Sequence, residues 1–460
     1  MLRARAYALI LQLLLCTVIL ILIKRQFDLG TNITLVRWGG ICSFIFLIAF
    51  WYLALNNKPR HSEIRGHRSQ SQGKSRRLTR AQLSDLRVAV VIATYNESRQ
   101  TLKDCLGSLA AQTKLPDVIY LIDDGSHQAA DVRAALMESG LIDKVPVQLI
   151  RQTNAGKRLA QSQAFAHDLQ ADIFVTLDSD TVLDPNAVAE LVNGYADPEV
   201  TAVGGIILGA NPRHNVLTRL IDVGFVSSYL SGRAAWSSLG SVVVHSGAIA
   251  SYRAEIVRRH LPFYARQRVF GQEVASGDDR MLTTLALLHG KSITQESAIA
   301  FTPHPENLRD LTRQRLRWSR SFYWGGFWLI RHMPLTRLSW WLVASQFTMF
   351  AVNIVLIPVL FAYWAIALHA LPFELLVYLA VISYLRTSRY AMVMPALRPK
   401  DKFFYLGSYL ISPIAGLLNF YLSWVINVLG LLTIRRTCRW GERISISDRE
   451  QPSDIALVSA

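Results

Sequence analysis

Cysteine is scarce in this chain of 460 residues. The four present, Cys16, Cys42, Cys105 and Cys438, are scattered, and two fall inside apolar runs. That spacing excludes both a disulfide framework and a zinc-ligand pattern. Acidic residues are also few, 33 against 49 lysines and arginines, for a formal net charge of +16. The strongest basic run, from Lys58 to Arg80 with Glu63 as its only acid, lacks interleaved aromatics. It therefore argues against nucleic acid as a partner. No A-x-A-like cleavage site follows the first apolar run, so a retained segment is expected there in place of a removed signal peptide.

Apolar length is what the chain does have. At 51% hydrophobic residues it is too apolar for an ordinary soluble enzyme, yet too charged to lie wholly in a membrane. Runs at 6–23 and 38–55 approach the roughly 20 residues that a bilayer-crossing helix needs, and predict a hairpin over 1–57. The sequon Asn32-Ile33-Thr34 in the short connection is read as incidental. The basic linker at 58–86 places itself and the domain after it in the cytoplasm, against anionic lipid headgroups.

A catalytic domain is expected over 87–308. Apolar runs without alternation at 88–93, 118–122, 147–150 and 173–177, with helical patterns between them, predict an open α/β sheet of Rossmann-like type. Ligands in such sheets bind beyond the carboxyl ends of the strands. Helical spacing at 215–236, and aromatics among arginines at 309–334, predict amphipathic helices at the membrane surface. Membrane-like segments resume over 335–434, with spans expected at 338–368 and 372–395. A third apolar segment, 403–434, is broken by Pro413 and Gly416 into an interfacial or re-entrant half and a short span, or into two short spans. A basic cytoplasmic tail at 435–460 closes the chain.

The sparse acids gather where chemistry needs them. Asp178-Ser179-Asp180 ends a predicted strand, and two carboxylates at that spacing can hold Mn²⁺ or Mg²⁺ against a diphosphate. Asp123 and Asp124 end another strand, where a carboxylate can accept a hydrogen bond from a nucleotide base and Tyr95 can stack on it; a simple Asp-Gly turn is the alternative. Lys157, in Asn154-Ala155-Gly156-Lys157-Arg158, suits phosphate contact. Asp279, in Gly277-Asp278-Asp279-Arg280, is expected as the general base for an acceptor hydroxyl. The alternative there is a helix N-cap, with Asp278 as the capping residue. Gln314, Arg317 and Trp318 place an amide, a planar cation and a flat ring on one helical turn, suited to a diphosphate and an acceptor sugar.

With these motifs in this order, the chain resembles the family 2 inverting glycosyltransferases, and among them the hyaluronan synthases and rhizobial chito-oligosaccharide synthases. The resemblance covers about 87–443 and rests most specifically on Gly232-Arg233-Ala234-Ala235, Ser246-Gly247, Ser276 to Arg280 and Gln314 to Trp318. Trp440-Gly441-Glu442-Arg443 looks like the hyaluronan synthases' gating motif, with Trp440 and Arg443 as its gating residues. The resemblance implies a cytoplasmic GT-A domain on interfacial helices, with a transmembrane bundle that secretes the growing polysaccharide across the inner membrane. It implies UDP-sugar binding by Thr94, Tyr95, Glu97, Asp124, Lys157, Asp178, Ser179, Gln314 and Arg317. Asp180 would bind the metal, Asp279 with Asp278 would form the catalytic pair, and Trp318, His245, Ser246 and Gly247 would meet the acceptor. His245-Ser246-Gly247-Ala248 and Glu442 depart from the hyaluronan pattern, which leaves open the sugar and the polymer more than the reaction; the linkage and any export partner are not given by the sequence. Two other readings are a non-processive enzyme that adds one sugar to a lipid carrier, and an inactive membrane protein that senses nucleotides.

Overall fold

The computed structural model describes residues 52–54, 56–57, 77–274, 276–367, 380, 383–384, 387 and 399–436. Nearly all of the expected N-terminal hairpin, most of the basic linker, nearly all of the span at 372–395, and Trp440 and Arg443 lie outside the described residues.

The four apolar runs form the parallel strands β1 (Val88–Thr94), β2 (Val118–Asp123), β3 (Val147–Arg151) and β4 (Ile173–Asp178). Every residue of β1 and β2 is buried, so these strands need no alternation of apolar and polar positions. Helix α1 (Arg99–Ala110), capped by the Ser98 side chain, connects β1 to β2, and α2 (Lys157–His167) lies between β3 and β4. The sheet continues through β5 (Val182–Leu183), β6 (Val200–Gly209), β7 (Ala250–Arg253) and β10 (Lys291–Thr302), in the order β3-β2-β1-β4-β7-β6-β10-β5. A separate hairpin is formed by β8 (Arg268–Val269) and β9 (Gln272–Glu273). Because β7 runs antiparallel to both β4 and β6, the sheet is mixed. One apolar layer, including Leu102, Leu106 and Val223, covers one face, and a second, including Phe165, Phe174 and Met281, covers the other.

Three expectations change. Helix α3 (Val216–Ser227) is not left to lipid along its apolar side. Its Leu220, Val223 and Val226 pack into the sheet core, while Ile221 meets Leu311, Leu422 and Ile426. Helix α4 (Asp278–His289) begins at Asp278, with Gly277 as its N-cap at φ 73°, so neither aspartate caps it. A Cβ at Gly277 would also lie 2.6 Å from Trp324, so the turn needs glycine twice over. Helix α5 (Leu308–His332) carries the expected aromatics, but Tyr323 and Trp324 are buried, and only rings such as Trp318 and Phe327 remain well exposed. Its belt is therefore partly a packing surface.

Two of the described helices, α6 (Leu338–Ala367) and the last one, contain stretches long and apolar enough to cross a membrane. Before that last helix comes α7 (Pro399–Leu410), and the break falls at Ile411. Pro413 then sits in the first turn of α8 (Ser412–Leu432), where its missing N–H costs nothing.

Candidate active site

Asp178 and Asp180 at the end of β4, Asp278 and Asp279, and Gln314 to Trp318 line one cavity of about 890 Å³, whereas Tyr95, Glu97 and Asp124 at the ends of β1 and β2 are not among its lining residues. Lys157 stands at the start of α2 and lines the cavity. Its Nζ is 2.5 Å from Asp178 Oδ1 and 3.1 Å from Asp278 Oδ2. Burial alone would lower the Lys157 pKa, but Asp178 and Asp278 together lift it above its ordinary value. Gly247 roofs this pair. A Cβ there would lie 2.7 Å from Nζ and 3.3 Å from Asp178 Oδ1, so any side chain would intrude on the site.

Asp178 and Asp180 both line the cavity. Between them, Ser179 donates its hydroxyl to Glu97 Oε2 at 3.1 Å, which ties the turn to the end of β1. Ser179 and Glu97 thus brace the acids. Thr94 is fully buried at the end of β1, and the Tyr95 ring lies 6.2 Å from that of His127. Asp124 departs from expectation. It is fully buried and accepts hydrogen bonds from Gln152 Nε2 (2.5 Å), Ala155 N (2.9 Å) and Gly156 N (2.8 Å). Those donors occupy most of a carboxylate's roughly four lone-pair positions. Its work in this structure is to hold the loop that presents Lys157, not to offer an open carboxylate to a base.

Asp279 lines the cavity next to Asp278. Burial, then the like charge of Asp278, raises the Asp279 carboxyl above its ordinary value, while Lys157 and Arg280 pull it down. A raised carboxyl is suited to taking a proton near neutral pH. Gln314, Arg317 and Trp318 line the same cavity from α5. Gln314 Oε1 is buried without a hydrogen-bond partner, an acceptor still waiting for a donor. Trp318 is 38% exposed and lies 6.1 Å from Phe225, with Arg315 5.0 Å from its ring.

His245 is a correction. It borders the cavity, but it is 1% exposed and its Nε2 is 2.8 Å from Ser292 Oγ, so the ring is spent inside the domain. Ser246 and Gly247 remain at the cavity wall.

Sequence reasoning gave no site role to several wall residues, Arg233 and Arg280 of its own motifs among them. Arg233 Nη1 and Arg280 Nε are buried without partners, and His304 lies 3.5 Å from Asp222 with both side chains buried. Residues Gly416, Asn419 and Ser423 of α8 line the cavity too. Small and polar residues recurring at helical spacing within an apolar span were the available signal for these last.

Residues 173–384 match the model of the glycosyl transferase family group 2. A hyaluronan synthase of Streptococcus pyogenes is 32% identical over 372 residues, covering 79% of this chain and 84% of that protein. An N-acetylglucosaminyltransferase of Azorhizobium caulinodans is 34% identical over 239 residues, covering 52% of this chain and 60% of that one. Among solved structures, a mannosyltransferase from Pyrobaculum calidifontis in complex with GDP-Man and Mn²⁺ superposes with a TM-score of 0.51, at 17% identity, over 84% of this chain and 96% of that one. That likeness concerns the fold alone and supports a GT-A-like open mixed sheet. By its extended similarity to the streptococcal synthase, joined to the family match, this chain belongs to the family 2 glycosyltransferases and is a polysaccharide synthase of that family.

Proposed function

We propose that the chain is a membrane-embedded, processive, inverting β-glycosyltransferase. It takes sugars from UDP-sugar donors at a cytoplasmic site and passes the growing polysaccharide across the inner membrane. One observation carries this reading: the cavity that holds Asp178, Asp279 and Trp318 is also lined by Asn419 and Ser423 of the membrane-length helix α8.

Asp178 and Asp180 supply two hard carboxylate donors, without a third His, Cys, Asp or Glu grouped with them among the described residues. That donor set fits Mn²⁺ or Mg²⁺, which complete their shells with phosphate oxygens and water. A divalent ion held there supplies Lewis-acid stabilisation of the departing nucleoside diphosphate. Lys157, Gln314 and Arg317 brace the diphosphate, and Tyr95 stacks on the base. Trp318 offers its face to the C–H groups of the acceptor sugar. Asp279 takes the proton of the acceptor hydroxyl as that oxygen attacks the anomeric carbon opposite the diphosphate. The bond from that carbon to the diphosphate breaks, and one displacement inverts the configuration.

Membranes carrying Asp279→Asn should still bind UDP while polymer synthesis falls about 10²–10⁴-fold, the usual contribution of a positioned base. Unchanged polymer yield would remove Asp279 from that role. Wild-type product should run as long chains on a sizing gel; single additions to a lipid carrier would defeat the processive reading.

A further inference from the structure

Lys157 holds a position that the bound metal's surroundings will need. Its Nζ bridges Asp178 Oδ1 and Asp278 Oδ2, its side chain is 9% exposed, and Gly247 closes the space above it. A divalent cation brought alone to Asp178 would meet an ammonium already on that carboxylate, in a pocket of low dielectric where like charges repel strongly.

We propose that Lys157 is a resident counter-cation that guards the donor site against metal alone, so that the divalent ion and the nucleoside diphosphate are admitted together. This rests on the reading of Asp178 and Asp180 as the metal pair. A diphosphate offers the ammonium a new anionic partner, and charge-assisted bonds to phosphate match those it leaves on Asp178. The four-carbon lysine stem permits a short swing, and Asp278 anchors the ammonium on its other side. Asp178 is thereby released to the metal at the moment the nucleotide arrives. Because Asp278 adjoins Asp279, the same lysine also ties filling of the donor site to the acceptor side.

The test is Mn²⁺ binding to the purified full chain in detergent, followed by the electron paramagnetic resonance signal of free Mn²⁺, with MnCl₂ alone and then with UDP. Wild type should bind Mn²⁺ alone weakly and gain tenfold or more in affinity with UDP. Lys157→Met should bind Mn²⁺ alone at least tenfold more tightly than wild type, with the gain from UDP reduced. That tightening should vanish in Lys157→Met/Asp180→Asn. Where Lys157→Met fails to fold by circular dichroism, Lys157→Gln takes its place. Equal Mn²⁺ affinity with and without UDP in wild type, or no tightening on loss of the lysine charge, would overturn the guard. No UDP binding by wild type under any condition would instead overturn the donor-site reading beneath it.

Discussion

Replacing His245 with Gln should make the folded protein less sensitive to acid. The ring is almost wholly buried and bonded to Ser292, and the strand beside it is so close that a Cβ on Gly204 would lie 2.2 Å from Nδ1. Burial first, and Arg233 second, push its pKa from 6.5 down to about 3. The unfolded chain therefore binds a proton that the folded chain refuses. Stability from this group is fully present above pH 6.5 and is lost as pH falls toward 3. At about 1.4 kcal/mol per unit of pKa, the loss is about 2 kcal/mol at pH 5 and approaches about 5 kcal/mol when pH has passed below both values. Thermal unfolding in detergent, followed by tryptophan fluorescence at about pH 8 and about pH 5, measures it. Between those pH values wild type should lose about 2 kcal/mol more than His245→Gln. Parallel curves would refute a buried, neutral imidazole. A large rise in acceptor KM for a stable His245→Gln would instead return the ring to the sugar.

Asp278→Asn should shift the acid limb of the pH–rate profile to lower pH, because it removes a like charge that raises the Asp279 carboxyl; an unmoved or higher limb would count against Asp279 as the titrating base. Gly247→Ala should overpack the Lys157–Asp178 pair at a cost of about 1–3 kcal/mol, read as a rise of about 5- to 150-fold in donor KM with normal expression. Asp124→Ala should strand three donors of the 152–156 loop and lower stability by about 3 kcal/mol or more, with donor affinity falling alongside; a melting temperature equal to wild type would contradict that bracing role.

The four parallel strands were legible because each is a short, mostly apolar run ended by a polar turn, with Gln148 and Thr176 the polar interruptions in β3 and β4, a largely local signal. Strands β6, β7 and β10 were not. Gly204 and Gly205 sit inside β6, and β10 carries the polar Gln295 and Ser297, whose side chains both donate to Glu190 Oε2 from a distant helix. Helix α5 was legible from its spacing, but which of its rings would be covered depended on α8, α6 and the domain beneath it.

By itself the sequence determined the family and the class of reaction, and it singled out the residues proposed to carry it. Asp178, Asp180, Asp279, Gln314 and Trp318 could be named from order and context, because acids at strand ends and a Trp-bearing helix are local features. Only the tertiary structure decided what each one touches. Lys157 bridges Asp178 and Asp278, Asp124 is spent on a loop, and His245 is turned into the domain, because those contacts depend on how distant strands and helices pack. A charge or an imidazole looks the same in the sequence whether it faces a substrate or another side chain, and burial beside a particular partner is what separates the two.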